Sequence, residues 1–275
     1  MRVEAMQAVV LGIVQGLTEF LPISSSGHLV MGQHLFGLKE PELVFDVSVH
    51  IGTLFAVCCY YRRDLTGMVR ALLLAAAGKK AAAPEAGHRK MAVMVVVGSL
   101  PTMALGFGFH QAAHRLFSSL VVVGAMLLVT GCCLALTLLL HRRSWQEREH
   151  RDITAFRVGD ALLIGTVQGL AILPGISRSG STISTALFLG IERAAAARYS
   201  FLLSIPAILG AGTLMALSVL EAGHLPWPTI FLGAVVSGLV GYAALWLLVM
   251  IVRGGKLYLF APYCWAAGAA AIWFA

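Results

Sequence analysis

The chain has 275 residues, of which 59% are hydrophobic and only 12% charged, and its formal net charge is +7. Charge at about half the usual globular share, with a mean hydropathy of +0.84, cannot clothe a water-soluble surface and excludes disordered, collagenous and disulfide-scaffold classes. The excess positive charge lies in short loops between apolar runs, as membrane topology signals do, so no nucleic-acid partner is expected.

In chain order the apolar runs are 5–17, 27–38, 43–61, 66–77, 91–109, 118–140, 161–173, 181–191, 199–220, 227–252 and 257–274. A helix needs about 20 residues to cross a bilayer, which makes six of these candidate spans: 43–61, 91–109, 118–140, 199–220, 227–252 and 257–274. The run 66–77 carries Arg70 and is expected to lie at the interface. Four runs are too short to span: 5–17 and 27–38, then 161–173 and 181–191. Each of these pairs is joined by a Pro/Ser/Gly segment, the pattern of a re-entrant helix hairpin. Arg2 precedes an apolar stretch, but Gln15 and Glu19 follow closely and no small-residue cleavage site is evident, so no signal peptide is expected. Cys58, Cys59, Cys132, Cys133 and Cys264 fall inside apolar runs without metal-type spacing and read as packing residues.

The two hairpins resemble each other. Gly12-Ile-Val-Gln-Gly-Leu17 matches Gly165-Thr-Val-Gln-Gly-Leu170, Leu21-Pro22 matches Leu173-Pro174, and Ser24-Ser-Ser-Gly27 matches Ser177-Arg-Ser-Gly180. Three candidate spans follow each hairpin. The expected fold is therefore an all-α polytopic membrane protein forming one membrane domain over 1–275. It holds two inverted-topology repeats, 1–140 and 158–275, each a re-entrant hairpin plus three transmembrane helices. An odd number of crossings per repeat inverts the second. With an external N-terminus, sixteen lysines and arginines fall in cytoplasmic loops and three outside, from a total of 20. That bias favours both termini outside. One hairpin then enters from each side, and the tips meet near the midplane.

Polar groups at membrane depth are costly and call for a reason. The first tip carries Gln15, Thr18, Glu19, Ser24, Ser25, Ser26 and His28; the second carries Gln168, Ser177, Arg178, Ser179, Ser181 and Thr182. The Ser/Gly runs open the second half-helix of each hairpin, where free backbone N–H groups and a positive dipole end suit phosphate. Arg178 can grip phosphate oxygens with its planar fork, Glu19 can hold a hard cation, and His28 can act as nucleophile or proton carrier. A lone Ser or Glu is as readily a helix cap or an ion-pair partner. Glu19, His28 and Arg178 together, at matching tips, point to chemistry. Asp46 and His50 share a face at i, i+4 and read either as an interhelical hydrogen bond or as support for the site. Tyr60, Tyr61, Trp227 and Tyr258 lie near span ends and look like interface anchors.

Glu19-Phe-Leu-Pro-Ile-Ser-Ser-Ser-Gly-His28 and Pro174-Gly-Ile-Ser-Arg-Ser-Gly180 resemble the two signature motifs of the undecaprenyl-diphosphatase family, the bacitracin-resistance type. The resemblance covers nearly the whole chain. It implies a phosphatase of the bacterial plasma (inner) membrane that converts undecaprenyl diphosphate to undecaprenyl phosphate and inorganic phosphate, recycling the lipid carrier of cell-wall synthesis. It implies an essential group of Glu19, Ser25, His28 and Arg178, with Ser24, Ser26, Ser177 and Ser179 lining the site, and dependence on a divalent cation, Mg²⁺ or Ca²⁺. Many members carry Glu where this chain has Gln15. Gln15 is uncharged and is expected to contact substrate, leaving Glu19 as the metal residue. The nucleophile is Ser25, with His28 as base and acid, or else His28 itself; Ser25 is the preferred reading, because His28 is then free to protonate the leaving group. The rival function is an inverted-repeat transporter or flippase of an anionic lipid. A second copy of the chain is a further candidate partner.

Overall fold

Inside a bilayer every backbone polar group needs an internal partner, so an apolar chain interrupted by proline and glycine must break into separate helices. The computed structural model describes residues 3–38, 43–79, 83–109, 119–141, 150–221 and 227–275. Among them are eleven α-helices, three short 3₁₀ turns and one isolated bridge between Arg151 and Ile191. The all-helical expectation holds.

Helix α1 (Ala5–Phe20) opens with a reciprocal cap in which Gln7 Oε1 accepts from the Glu4 N–H at 2.9 Å. It stops at Leu21, whose backbone is extended (φ −59°, ψ 140°) because Pro22 follows. Helix α2 (Ser25–Leu35) then packs back against α1. The second hairpin repeats this plan. Helix α7 (Val158–Leu170) is followed by a turn through Pro174 and Gly175 and by α8 (Arg178–Phe188), which packs on α7. Gly175 has φ +99°, and a Cβ there would sit 2.3 Å from the Val123 carbonyl oxygen, so only glycine fits this turn. The short runs were expected at 5–17, 27–38, 161–173 and 181–191. In the structure the helices run closer to the motifs, so that Glu19 lies in the last turn of α1 and Arg178 is the first residue of α8.

Among the described residues four helices are long and apolar enough to cross a membrane: Glu85–Phe109, Leu120–Leu140, Arg193–Thr213 and Trp227–Arg253. They lie within α5 (Ala83–Phe109), α6 (Leu120–Leu136, continued by a 3₁₀ turn), α9 (Arg193–Glu221) and α10 (Trp227–Arg253). A fifth candidate is α3 (Leu43–Tyr60), which turns by 75° into α4 (Arg62–Ala76). The charged run Arg62, Arg63 and Asp64 cannot continue into hydrocarbon, and α4 is amphipathic with Val69 and Leu73 exposed. The sixth expected span, 257–274, is shorter than expected. A 3₁₀ turn at Leu257–Phe260 leads into the 13-residue α11 (Ala261–Trp273), and together they stand at the low end of the spanning range, about 17 residues. Positions 39–42 and 110–117, between expected apolar runs, and Ser118, the first residue of the expected 118–140 span, lie outside the described residues.

Small residues set the helix packing, as expected where lipid supplies no hydrophobic drive between helices. Gly12 and Gly16 form a Gly-x-x-x-Gly face on α1, and Gly165 and Gly169 form the same face on α7. Helix α1 packs on α10, where a Cβ on Gly12 would lie 2.9 Å from the Gly233 carbonyl oxygen. Helix α7 packs on α5, where a Cβ on Gly165 would lie 1.9 Å from the Gly98 carbonyl oxygen. Each first hairpin helix therefore rests on a long helix from the other half of the chain. Helices α6 and α11 meet through Gly124 and Gly268. All five cysteines are free, and the buried aromatics Phe20, Tyr61, Tyr199 and Phe201 form a core beside the hairpins.

Candidate active site

The i, i+4 spacing on α1 places Gln15 beside Glu19, and Gln15 Nε2 donates to Glu19 Oε2 at 3.1 Å. Ser25, the first residue of α2, donates to the same oxygen at 2.6 Å. From the other hairpin, Arg178 Nη2 forms an ion pair with Glu19 Oε1. From α3, His50 Nε2 lies 3.4 Å from Oε2. The Glu19 carboxylate is thus the junction of four helices. Its side chain is 6% exposed and that of Arg178 16%. A buried carboxylate is tolerated only when its charge is matched and its lone pairs are filled, and this arrangement does both.

Two polar atoms at this junction are buried with no hydrogen-bond partner among the described residues: Arg178 Nη1 and Gln15 Oε1. One is a cationic donor and the other a neutral oxygen acceptor. A phosphate oxygen suits the first. A hard cation suits the second together with the Glu19 carboxylate. No group of three or more His, Cys, Asp or Glu placed to hold a metal ion occurs among the described residues, so a cation here would take its remaining ligands from substrate and water. That suits an oxygen-loving ion such as Mg²⁺ or Ca²⁺ and does not suit zinc.

The serines divide into two groups. Ser24 and Ser177 are the N-caps of α2 and α8, accepting from the backbone N–H of Gly27 at 3.4 Å and Gly180 at 3.1 Å. Their hydroxyls lie 3.3 Å from those of Ser26 and Ser179 respectively. Ser179 also donates to the Phe20 carbonyl at 3.0 Å, which fastens the second tip to the first. Thr130 of α6 braces the second turn, donating to the Gly175 carbonyl at 2.9 Å and accepting from Ser177 N–H at 3.0 Å. Ser177 and Ser179 are buried in this joint, whereas Ser25, Ser26 and His28 are partly exposed. Ser24 is the one non-glycine residue with positive φ (+69°) among the described residues, a strained conformation of the kind found at functional turns.

His28 does not pair with Ser25, the partner one nucleophile scheme gave it. Its Nδ1 lies 2.8 Å from the Ser24 carbonyl oxygen and its Nε2 lies 2.7 Å from the Tyr263 hydroxyl. Of the two readings for Asp46 and His50, each residue takes one. Asp46 Oδ1 accepts from Gln33 of α2 at 2.6 Å, while His50 reaches Glu19. Thr18 turns back to its own helix, donating to the Val14 carbonyl at 2.7 Å. Gln168, the counterpart of Gln15, binds Thr102 and the Leu203 carbonyl, both at 3.2 Å, and serves packing. Tyr263 and Thr130 carried no sequence signal, being isolated hydroxyl-bearing residues inside apolar runs with no motif around them.

The family model described as "Bacitracin resistance protein BacA" matches residues 8–270. A protein of Desulfosudis oleivorans named "Undecaprenyl-diphosphatase" is 52% identical over 279 residues, covering 98% of each chain. Proteins of the same name from Desulfatibacillum aliphaticivorans and Halothermothrix orenii are 48% and 42% identical, each alignment covering 96% of both chains.

Proposed function

The chain belongs to the bacitracin resistance protein BacA family, and we propose that it hydrolyses undecaprenyl diphosphate to undecaprenyl phosphate and inorganic phosphate where its two hairpins meet. This returns the lipid carrier to cell-wall synthesis and underlies bacitracin resistance. The observation that carries the reading is the Glu19–Arg178 pair with Ser25 bonded to the same carboxylate and Arg178 Nη1 left without a partner among the described residues.

In this reading Arg178 binds the terminal phosphoryl group through Nη1 and the α2 and α8 N-termini complement its charge. Ser25 Oγ attacks the terminal phosphorus. Its proton passes to Glu19 Oε2, to which it is already bonded at 2.6 Å. The bridging P–O bond breaks and undecaprenyl phosphate leaves. Water then attacks the phosphoserine and gives a proton to His28 Nε2, while Ser25 Oγ recovers its own from Glu19. A divalent cation held by Glu19 and Gln15 Oε1 would neutralise phosphate charge in both steps.

The inverted-repeat organisation belongs to the same proposal, with 1–140 and 158–275 as its halves. It is supported by the matched Gly-x-x-x-Gly helices, each packed on a long helix of the other half. We assign the protein to the inner membrane with both termini external and the cavity open outward, from the loop charges and the bent amphipathic α4. The test is phosphate release by the purified protein from long- and short-chain prenyl diphosphates, with and without chelator. Release that needs the cation and favours the long chain supports the proposal. No release from either substrate in the presence of Mg²⁺ or Ca²⁺ defeats it.

A further inference from the structure

The His28 ring is held at both edges. A carbonyl oxygen only accepts, so the 2.8 Å contact to Ser24 O places the ring hydrogen on Nδ1. The neutral imidazole then presents a lone pair on Nε2, and the Tyr263 O–H donates to it at 2.7 Å. The two rings lie nearly parallel, 10° apart with centroids at 5.7 Å. Both holds are well anchored. Ser24 keeps its positive φ as the N-cap of α2. Next to Tyr263, the Cys264 thiol contacts the Pro22 carbonyl at 3.6 Å, and α11 is seated against α6 where Gly124 and Gly268 meet. Tyr263 is nevertheless 48% exposed, so the bond closes the accessible edge of the ring and a ligand can reach it.

We propose that Tyr263 is a positioning residue for His28, fixing its Nδ1–H tautomer, capping Nε2 before substrate arrives, and exchanging that bond for a phosphate oxygen when the diphosphate enters. The exchange is balanced, because the phenol O–H keeps one acceptor throughout and Nε2 is released before the hydrolysis step in which it accepts a proton. Tyr263 thus links substrate entry to the availability of the base. The proposal rests on the phosphatase reading above, but its first measurement needs no turnover.

The experiment follows the ring nitrogens of ¹⁵N-histidine-labelled protein in nanodiscs, with His28→Gln identifying the His28 signals. In the unmodified chain Nδ1 should read as protonated and Nε2 as a hydrogen-bonded acceptor. In Tyr263→Phe, which keeps the ring and loses only the hydroxyl, the Nε2 signal should move to that of an unbonded acceptor. A methylene-bridged prenyl diphosphonate should move the unmodified Nε2 signal in the same direction. The other histidine signals report that the variant is folded. In the activity assay Tyr263→Phe should lower kcat about tenfold, equivalent to ~1.4 kcal/mol, because the hydroxyl's bond to the phosphate oxygen in the complex is lost; KM should stay within about twofold, because the bond to Nε2 that substrate entry would have broken is absent as well. An Nε2 signal unchanged in Tyr263→Phe, a protonated Nε2 in the unmodified chain, or an unaltered kcat would overturn the assignment. If the unmodified protein releases no phosphate while the nitrogen signals behave as described, the phosphatase reading fails and the positioning contact stands.

Discussion

Removing one member of the Glu19–Arg178 pair should destabilise the protein more than removing both. In Arg178→Met the Glu19 carboxylate, 6% exposed, loses its only full positive partner among the described contacts. It keeps the Ser25 hydroxyl at 2.6 Å, the Gln15 amide at 3.1 Å and His50 at 3.4 Å. Breaking a buried ion pair from one side costs about 3–5 kcal/mol, and these remaining donors place the loss at the lower end, about 3 kcal/mol. Glu19→Gln leaves Arg178 buried with both guanidinium arms unmatched and should lose a similar amount. The double variant Glu19→Gln/Arg178→Met leaves no uncompensated charge and should return to within about 1 kcal/mol of the original stability. Thermal denaturation in detergent would read the three variants as two lowered midpoints and one near-original midpoint. On soluble-domain scaling a 3 kcal/mol loss is roughly 6–10 °C. Equal midpoints for Arg178→Met and the unmodified protein, or a double variant as unstable as the sum of the singles, would refute the argument that the pair is buried and mutually compensating.

Three further outcomes follow from other parts of the structure. Gly165→Ala places a Cβ 1.9 Å from the Gly98 carbonyl oxygen and should lose about 1–3 kcal/mol or more through overpacking; Gly159→Ala on the same helix meets nothing within 4 Å and should leave the midpoint unchanged or raise it. Chelation should abolish phosphate release and added Mg²⁺ or Ca²⁺ should restore it; Glu19→Gln should show no restoration, while Gln15→Ala, which loses a neutral ligand, should retain a cation-dependent fraction of the rate. In sealed vesicles of known orientation, a membrane-impermeant thiol reagent should reach Ser26→Cys from the external side and be blocked by substrate; reaction from the cytoplasmic side alone would reverse the proposed opening.

The hairpins were legible because their breaks violate the rules of the surrounding chain. Leu21-Pro22 and Pro174-Gly175 stop helices inside apolar sequence, and runs of serine at membrane depth need a use. The same logic singled out Glu19, His28 and Arg178. What the pattern could not show is which atoms meet. Glu19 and Arg178 are 159 positions apart, and their pairing depends on how two hairpins cross. That crossing is set by close contacts such as Gly165 on Gly98, which follow from three-dimensional packing and have no counterpart in local periodicity. The bond between Ser25 and Glu19, in place of one to His28, is a matter of side-chain direction at the start of α2. Tyr263 was hidden for a different reason. A tyrosine inside an apolar run gives no local sign of a partner, and only the fold brings it to His28. The last run, 257–274, reads as one uniform span because its composition is uniformly apolar, whereas the chain enters it through a 3₁₀ turn before Pro262 at the start of α11.

The most direct test of the central claim compares phosphate release from undecaprenyl diphosphate by the unmodified protein and by the folded double variant Glu19→Gln/Arg178→Met, in nanodiscs with saturating Mg²⁺ or Ca²⁺. The variant should keep the fold yet lose the buried pair and the carboxylate that Ser25 bonds, the groups to which the proposal assigns cation and phosphoryl binding. The account therefore predicts release by the unmodified protein and a loss of at least about 10³-fold in the variant. A double variant that is folded and within about tenfold of the original rate would contradict the placement of the reaction at the junction of the two hairpins.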